Sequence, residues 1–479
     1  MSNSIIKNYI YNSGLLIFNL IFPFITMIYV NRIFSIDIIG EISLVLSFVT
    51  VFTSLSSLGI SLYGMREVAQ NRESREKLEE ILSKYLILNI AGVLVFTVLY
   101  FNIIFFYLKK NMEMYIILYL NILMSPFLIE WFYIGLEQYK YITKRSIFVK
   151  LSSFIFMIIF IKKEEDIYLY LMFLVLGSSL NGIFNIYKAK NYIKKVKINF
   201  INELLKLKYF YLQIVIGIFY NGCEQIILGL NSTSIQVAYY SRSKQLLGIP
   251  SMIILSLTRT LLPSINNKVN NKKEYKDLVK LSFSYMCLLM FPCISGILIL
   301  SDNILYIIGG EKFIPAKNIL KISTLLLSVS SMSVFLDTNI SVPNKKEKNT
   351  LYGNVGVMII TIILSILLSS KYGGEGTALS VVIGEMIGVL IQFIFIKKQG
   401  ILVKFLDKNI FKYIGSSVFM GILLLSIQSL KLGYILEFFI SVLVGAIFYF
   451  LLLFLMKEKL IMIGYKKLKV KLGEFRRRV

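Results

Sequence analysis

Residues 85–107 read YLILNIAGVLVFTVLYFNIIFFY, a predominantly apolar stretch without a charged side chain. About 20 apolar residues are enough to carry a helix across the hydrocarbon core of a bilayer. Similar stretches recur along the chain, in which hydrophobic residues make up 56% of 479 residues. We predict an all-α polytopic membrane protein with about fourteen transmembrane helices. The predicted spans are 9–31, 38–62, 85–107, 115–136, 147–161, 167–187, 209–230, 236–262, 280–301, 316–337, 350–369, 376–396, 413–429 and 435–456.

The segments between these spans are too short to hold a soluble catalytic domain, since none exceeds about 22 residues with the usual uncertainty in span ends. The chain has no histidine, which is the commonest general base and metal ligand. Its cysteines, Cys223, Cys287 and Cys293, all lie in predicted spans and have no metal-binding or disulfide spacing. We therefore expect a membrane protein without a cofactor or metal site, and not an enzyme.

The basic residues are concentrated in every second segment between predicted spans, and this distribution sets the orientation of the chain in the membrane. The N-terminus, the even-numbered gaps and the C-terminal tail hold about four times as many Lys and Arg residues as the other side, a strong positive-inside signal. This predicts a multi-pass protein of the bacterial cytoplasmic membrane with both termini in the cytoplasm. The first span is expected to be an uncleaved signal-anchor.

The net charge of +25 could suggest a nucleic-acid partner. The charges are instead spread over short cytoplasmic segments, as membrane topology requires, so no nucleic acid is expected. The basic tail, residues 457–479, is expected to lie against anionic lipid headgroups.

A weak internal repeat has an offset near 200 residues. The loop that ends Ser83-Lys84-Tyr85 corresponds to the loop that ends Phe283-Ser284-Tyr285, and Glu130 in span 4 corresponds to Asp337 in span 10. The repeat predicts an N-terminal six-helix bundle over residues 1–205 and a second over 206–408. Because six is even, the two would be parallel repeats with a substrate site near the membrane midplane between them. Residues 409–456 would add two helices.

Six stretches are similar to those of a known family. They are Asn31-Arg32-Ile33-Phe34 through Ile39-Gly40, Leu58-Gly59, Tyr63-Gly64-Met65-Arg66-Glu67-Val68-Ala69, Glu130-Trp131-Phe132-Tyr133-Ile134-Gly135-Leu136-Glu137, Ala238-Tyr239-Tyr240-Ser241 and Gly310-Glu311-Lys312-Phe313-Ile314-Pro315-Ala316. With them the chain resembles the Wzx-type oligosaccharide flippases. These belong to the polysaccharide transporter branch of the MOP superfamily, which also holds the MATE drug exporters and the lipid II flippase. Ile134 departs from the family, which often has Gln there.

The resemblance implies a function and a shape. Such a flippase moves undecaprenyl-diphosphate-linked oligosaccharide repeat units from the cytoplasmic to the outer leaflet, for O-antigen, capsule or exopolysaccharide synthesis. It implies a MATE-like V-shaped pair of bundles that works by alternating access. A polysaccharide polymerase and glycosyltransferases are the implied partners. Arg32 matches a family position where a cation borders the cavity.

Charges inside predicted spans are candidates for function, because each costs about 2.5–3.5 kcal/mol at the centre of an isolated span. Glu224 in span 7 and Arg242 in span 8 would both lie about 9 Å deep, so we expect them to face each other or to share one cavity. Arg242 would attract the diphosphate or an acidic sugar, or the pair would only dock two helices. Lys244 points away from Arg242 and is expected to reach the outer headgroups. Arg259 near the cytoplasmic end of span 8 also suits an interfacial anchor.

Glu385 is the deepest carboxylate, and Gly384 and Gly388 beside it would permit close helix packing. It is a candidate for proton or sodium coupling, or a hydrogen-bonded residue between helices. Glu130 and Asp337 are candidates for an inner gate where basic residues meet them, or are simply interfacial.

The candidate residues fall into two sets. The substrate-cavity set is Arg242, Arg32, Asn19, Asn221, Lys244 and Arg259; the ion-coupling or gate set is Glu224, Glu385, Glu130 and Asp337. Three other functions remain open. A lipid II flippase would share the fourteen spans, whereas a MATE-type exporter usually has twelve. A polymerase or membrane glycosyltransferase would need a sizeable outer loop, and the longest here runs only from residue 302 to 315.

Overall fold

The computed structural model describes residues 3–108, 110–401, 405 and 409–465, and within these the chain is helical with no β-strand. The chain divides into two compact units, Met1–Ala238 (unit 1) and Tyr239–Val479 (unit 2). The last part of the predicted basic tail, from residue 466 onward, lies outside the described residues.

Unit 1 contains ten α-helices. They are α1 Asn3–Ile33, α2 Ile36–Ser56, α3 Ile60–Gln70, α4 Arg75–Tyr107, α5 Met112–Met124, α6 Glu130–Gly135, α7 Tyr139–Phe160, α8 Ile167–Ala189, α9 Phe200–Asn221 and α10 Cys223–Asn231. Helix α5 packs between α2 and α8, and α7 packs against both α1 and α8. Short 3-10 turns at Ser125–Leu128, Glu164–Asp166 and Lys190–Tyr192 connect them.

Helix α11, Ser234–Leu246, carries the boundary between the units. The α-helices that follow are α12 Gly248–Lys268, α13 Lys272–Ile299, α14 Ser301–Gly309, α15 Lys317–Thr324, α16 Leu326–Leu336, α17 Lys348–Lys398, α18 Asn409–Gln428 and α19 Tyr434–Leu455. Glu311–Ala316 is a 3-10 helix, and Asp337–Ser341 is a π-helical turn after α16. Within unit 2, α13 packs against α12 and α18, and α18 packs against α19.

Aromatic side chains fill the middle of unit 1, where α2, α4 and α5 meet. The Phe48 ring lies 5.5 Å from the ring of Tyr100 and 5.6 Å from that of Tyr115. Tyr100 is fully buried, and its hydroxyl donates to the Tyr115 carbonyl oxygen at 2.8 Å. A buried phenol needs such an acceptor, so the contact joins α4 to α5 without leaving a polar group unsatisfied.

Twelve helical segments of the described chain are long and apolar enough to cross a membrane, which makes the protein a multi-pass membrane protein. The sequence predicts fourteen, and two features account for the difference. Helix α7, which contains predicted span 5, is not among the twelve, because Lys140, Lys144, Arg145 and Lys150 crowd its first half. Predicted spans 11 and 12 form the single continuous segment α17.

Helix α17 turns back on itself at Gly373. With φ 55° and ψ −132°, this residue has a conformation that side chains larger than hydrogen strongly disfavour. The two arms, residues 348–372 and 374–398, then pack antiparallel. A Cβ atom added to Gly376 would lie 2.2 Å from the Leu368 carbonyl oxygen, and one added to Gly384 would lie 2.2 Å from Thr361 Oγ1. Each arm of about 25 residues would be about 37 Å long, enough to cross a bilayer.

Candidate functional site

A pocket of about 370 Å³ lies inside unit 1 between α1, α7 and α8. Its wall is mainly apolar and aromatic, with a few polar groups that converge on it, as in many ligand-binding pockets. The polar lining residues are Thr26, Lys150, Ser153, Tyr170, Ser178 and Asn181. Hydroxyl and amide groups of this kind both donate and accept hydrogen bonds, so they suit a polyhydroxylated ligand.

Lys150 brings a positive charge to this pocket. Its ammonium donates to Asn19 Oδ1 at 2.6 Å and lies 5.9 Å and 5.8 Å from the ring centroids of Phe18 and Phe22. The predicted cavity residue Asn19 is therefore exposed on α1 and holds a lysine of α7. Sequence reasoning missed Lys150 because it lies near the start of predicted span 5 and was grouped with the neighbouring basic loop. A cation held beside aromatic rings and an amide can attract a phosphate or an acidic sugar.

A buried charged cluster lies at the open end of the α7–α8 hairpin. Arg145 on α7, with only 3% of its side chain exposed, pairs with Glu130 on α6, whose side chain is 47% exposed. The same guanidinium donates to Asn185 Oδ1 on α8, and the Tyr133 hydroxyl donates to the Asn185 carbonyl oxygen at 2.6 Å. Glu130 thus meets a basic residue, as the sequence suggested for an inner gate; a gating role stays a prediction.

The break in predicted span 4 positions this cluster. Pro126 lies in the 3-10 turn Ser125–Leu128, which interrupts the helix between α5 and α6. A proline removes a helical hydrogen bond, so neighbouring side chains have to satisfy the freed groups. The Asn185 amide donates to the Leu128 carbonyl oxygen, and Ser125 Oγ donates to the Ile122 carbonyl oxygen at 2.8 Å. The break consequently orients Glu130 toward Arg145.

Two of the family-like stretches of the first half, 63–69 and 130–137, contact each other. A Cβ atom on Gly64 would lie 2.7 Å from the Trp131 ring, and one on Gly135 would lie 2.7 Å from Val68 Cβ. Arg72 fixes the same contact, because its Nε donates to the Gly135 carbonyl oxygen at 2.6 Å. Both glycines are therefore needed for α3 to approach α6.

Tyr63 lies on the short helix α3. Its ring packs edge-on against the ring of Tyr85, at a centroid distance of 5.8 Å, and against that of Phe210, at 5.4 Å. Burial raises the pKa of the Tyr63 phenol, and the neighbouring Glu67 carboxylate raises it further. The phenol therefore stays neutral at physiological pH.

The two similar stretches of unit 2 also contact each other. The Tyr239 hydroxyl on α11 donates to the Lys312 carbonyl oxygen at 3.2 Å, and its ring lies 6.1 Å from that of Phe313. Phe313 is fully buried. These stretches have a structural role as helix-docking contacts.

Predicted span 7 is broken. Helix α9 ends at Asn221 and α10 begins at Cys223, so Glu224 lies on a separate helix from Gln213 and Gly217. Gly222 between the two helices lies outside helical geometry, with φ −143°. Glu224 is buried on α10, which packs against α2.

The remaining substrate-cavity candidates lie on several elements. Arg242 and Lys244 lie on α11, half-buried, and Arg242 Nη1 donates to Gln245 Oε1 at 3.1 Å. Arg32 is exposed in the last turn of α1, and Arg259 is exposed on α12. The Asn221 side chain lies outside the described residues. The pairing of Glu224 with Arg242 stays a prediction.

Glu385 and Asp337 lie in unit 2. Glu385 is buried on the second arm of α17, and the close packing predicted from Gly384 and Gly388 is confirmed, since a Cβ on Gly388 would lie 2.3 Å from Val357 Cγ2. Asp337 begins the π-helical turn and accepts a hydrogen bond from the Thr350 hydroxyl.

Comparisons with known proteins relate the chain to glycan transport. The profile of a family described as "Polysaccharide biosynthesis protein" matches residues 5–269. A putative O-antigen transporter of Shigella dysenteriae is 22% identical over 387 residues, covering 79% of this chain and 96% of that protein. A probable low-salt glycan biosynthesis flippase of Haloferax volcanii is 21% identical over 245 residues, or 50% of this chain and 52% of that protein.

Solved structures share the fold. The lipid II flippase MurJ in an inward closed conformation superposes with a TM-score of 0.73 at 17% identity, covering 95% of this chain and 100% of that one. An inward-facing multidrug resistance MATE family transporter of the MOP superfamily gives 0.61 at 10% identity, covering 79% and 93%. At these identities the likeness is one of fold.

Proposed function

Because the chain belongs to the polysaccharide biosynthesis protein family, we propose that it is a flippase for lipid-linked oligosaccharides. It would carry undecaprenyl-diphosphate-linked repeat units from the cytoplasmic to the outer leaflet of the bacterial cytoplasmic membrane. The polymer that results would be O-antigen, capsule or exopolysaccharide, with glycosyltransferases supplying the substrate and a polymerase consuming it. The protein acts as a transporter and carries out no covalent chemistry.

The observation that carries the proposal is the Lys150 pocket of unit 1. A lysine among apolar membrane helices is costly unless it serves a ligand or has a partner. Here Asn19 accepts a hydrogen bond from the ammonium at 2.6 Å, and Lys150 lines the pocket together with hydroxyl and amide side chains, a combination that suits a sugar joined to a diphosphate.

The topology is part of the proposal. We infer fourteen crossings, with the arms of α17 as two of them and α7 as another, and both termini in the cytoplasm. The first 205 residues and residues 206–408 would form the two repeats, with 409–456 as added helices. The asymmetric distribution of basic residues supports this orientation.

A deletion strain tests the function. Loss of a flippase should cause lipid-linked repeat units to accumulate on the cytoplasmic face, and the wild-type gene should reverse this. Complementation with Lys150→Gln should be at least tenfold weaker at equal protein level, because the pocket loses its cation. Lys371→Gln, which removes an exposed lysine elsewhere, is the matched control. Unchanged repeat-unit levels in the deletion strain would refute the function, whereas full activity of Lys150→Gln would refute only the site.

A further inference from the structure

A second concave surface of unit 1 lies between the first turns of α7 and the last turns of α8. It is an open groove of about 800 Å³, within the about 300–1,000 Å³ range of small-molecule pockets. Its charged lining residues are Lys140, Lys144, Arg145 and Lys188, and its exposed aromatic residues include Phe148 and Tyr187. None of the described lining residues carries a carboxyl group. The groove therefore has a surplus of positive charge.

The nearest carboxylates do not cancel this surplus. Glu130 pairs with Arg145, a buried residue of the groove lining, and Glu137 pairs with Arg72. Lys140, Lys144 and Lys188 remain exposed at the groove. Charge complementarity selects an anion as the occupant.

Lys188 is held in place before any ligand arrives. Its ammonium donates to Gln138 Oε1 at 2.6 Å and lies 3.6 Å from the centroid of the Tyr141 ring. A lysine fixed in this way loses less side-chain entropy on binding than a freely rotating one. An ordinary interfacial lysine, which extends into water, has no such restraint.

The aromatic residues add an apolar wall to the anion site. Phe148 is 63% exposed and Tyr187 is 70% exposed. Phe148 lies four residues after Lys144 on α7, and residues four apart are neighbours on a helix, while Tyr187 lines the same groove from α8. An anion with an attached hydrocarbon chain would contact both kinds of side chain.

We propose that this groove binds the phosphate of one anionic phospholipid in the cytoplasmic leaflet, with an acyl chain along Phe148 and Tyr187. The proposal rests on the proposed orientation, in which the segment before α7 is cytoplasmic, and not on the proposed substrate. Basic pockets between membrane helices on that side are suited to anionic headgroups. The bound lipid would hold the open ends of α7 and α8 together beside the Arg145 cluster.

Native mass spectrometry of the full chain in detergent tests this with phosphatidylglycerol and phosphatidylcholine of identical acyl chains. The protein should bind one phosphatidylglycerol molecule in preference to phosphatidylcholine. The double variant Lys144→Gln/Lys188→Gln should bind it about 25-fold more weakly, or about fivefold for each lysine, since one lysine near an anionic surface contributes about 1 kcal/mol. The double variant Lys195→Gln/Lys197→Gln, in the non-helical segment 193–199, removes the same charge and should bind as the wild type does.

Competition identifies the occupant. Inorganic phosphate should displace the phospholipid only weakly, and Tyr187→Ala should weaken phosphatidylglycerol without changing phosphate binding. Three results would overturn the proposal: equal loss in both double variants, phosphate binding as tight as lipid binding, or tighter binding of undecaprenyl diphosphate than of phosphatidylglycerol. The last would make the groove a substrate subsite. Each result is independent of the flippase assay in the deletion strain.

Discussion

Two helical hairpins, one in each unit, are held together by opposite means. The α7–α8 hairpin of unit 1 is joined by charge and amide groups, with Arg145 bound to Asn185 and to Glu130. The α17 hairpin of unit 2 is joined by glycines, which let one arm approach the backbone of the other. In unit 1 one of the joining residues, Arg145, also lines the basic groove that we propose as an anion site. In unit 2 they create only close packing around the buried Glu385.

Holding two antiparallel helices together therefore makes each unit sensitive to a different kind of substitution. A buried charge requires its partner, so unit 1 should be sensitive to loss of single charges and to the ionic surroundings. Glycine packing requires only the absence of a Cβ atom, so unit 2 should be sensitive to added volume.

The largest effect is expected for Glu130→Gln. This change leaves Arg145 buried without its carboxylate partner, and breaking a buried pair costs about 3–5 kcal/mol. Arg145→Met should cost less, because the Glu130 side chain left behind is 47% exposed and can be hydrated. The free energy of unfolding in SDS titrations measures both. A smaller loss for Glu130→Gln than for Arg145→Met would contradict the charge-based account of unit 1.

A smaller loss is expected for Gly376→Ala in unit 2. The added Cβ would lie 2.2 Å from the Leu368 carbonyl oxygen, so backbone has to shift. Overpacking of this kind costs about 1–3 kcal/mol. Gly415→Ala on α18 is the control, because nothing lies within 4 Å of its added Cβ, and it should be neutral or stabilise by up to about 1 kcal/mol. Similar results for the two variants in the same titration would rule out glycine packing as the cause.

A substitution at the open end of the α17 hairpin should lower the free energy of unfolding by less than Gly376→Ala does. Asn349 and Gln399 exchange hydrogen bonds at 3.0 Å and 2.9 Å across the arms. Asn349→Leu removes both, for an expected loss of about 1 kcal/mol. Amide hydrogen exchange should show faster opening at residues 348–352 and no change near Gly373. Faster exchange along the whole hairpin would mean that these amides hold the arms together.

The smallest change in stability is expected for Glu385→Gln, which keeps the size of the side chain. Its effect should instead appear in transport, if the carboxyl couples substrate movement to protons or sodium. Transport by the variant should then lose its dependence on pH or sodium. Identical ion and pH dependence in the wild type and the variant would exclude Glu385 from coupling.

The sequence predicted the helical class because long apolar segments have few alternatives in a membrane. It also predicted close packing at Gly384 and Gly388. It predicted a reversal between spans 11 and 12, in the gap that contains Gly373. It did not predict the break at Gly222, because glycine is common in membrane helices and only tertiary packing decides which one bends. Lys150 lies at the start of span 5 beside a basic loop, and Asn19, which accepts from its ammonium, is 131 residues away. Such a contact has no local signal.

Reconstitution tests the central claim most directly. Purified protein in phospholipid vesicles receives labelled undecaprenyl-diphosphate oligosaccharide confined to the inner leaflet, and a glycosidase added outside reports the fraction that has crossed. The account predicts that this fraction rises with time in protein-containing vesicles, more slowly with Lys150→Gln, and that lipid II crosses less readily. Cleavage no faster than in protein-free vesicles, or faster crossing by lipid II, would contradict it.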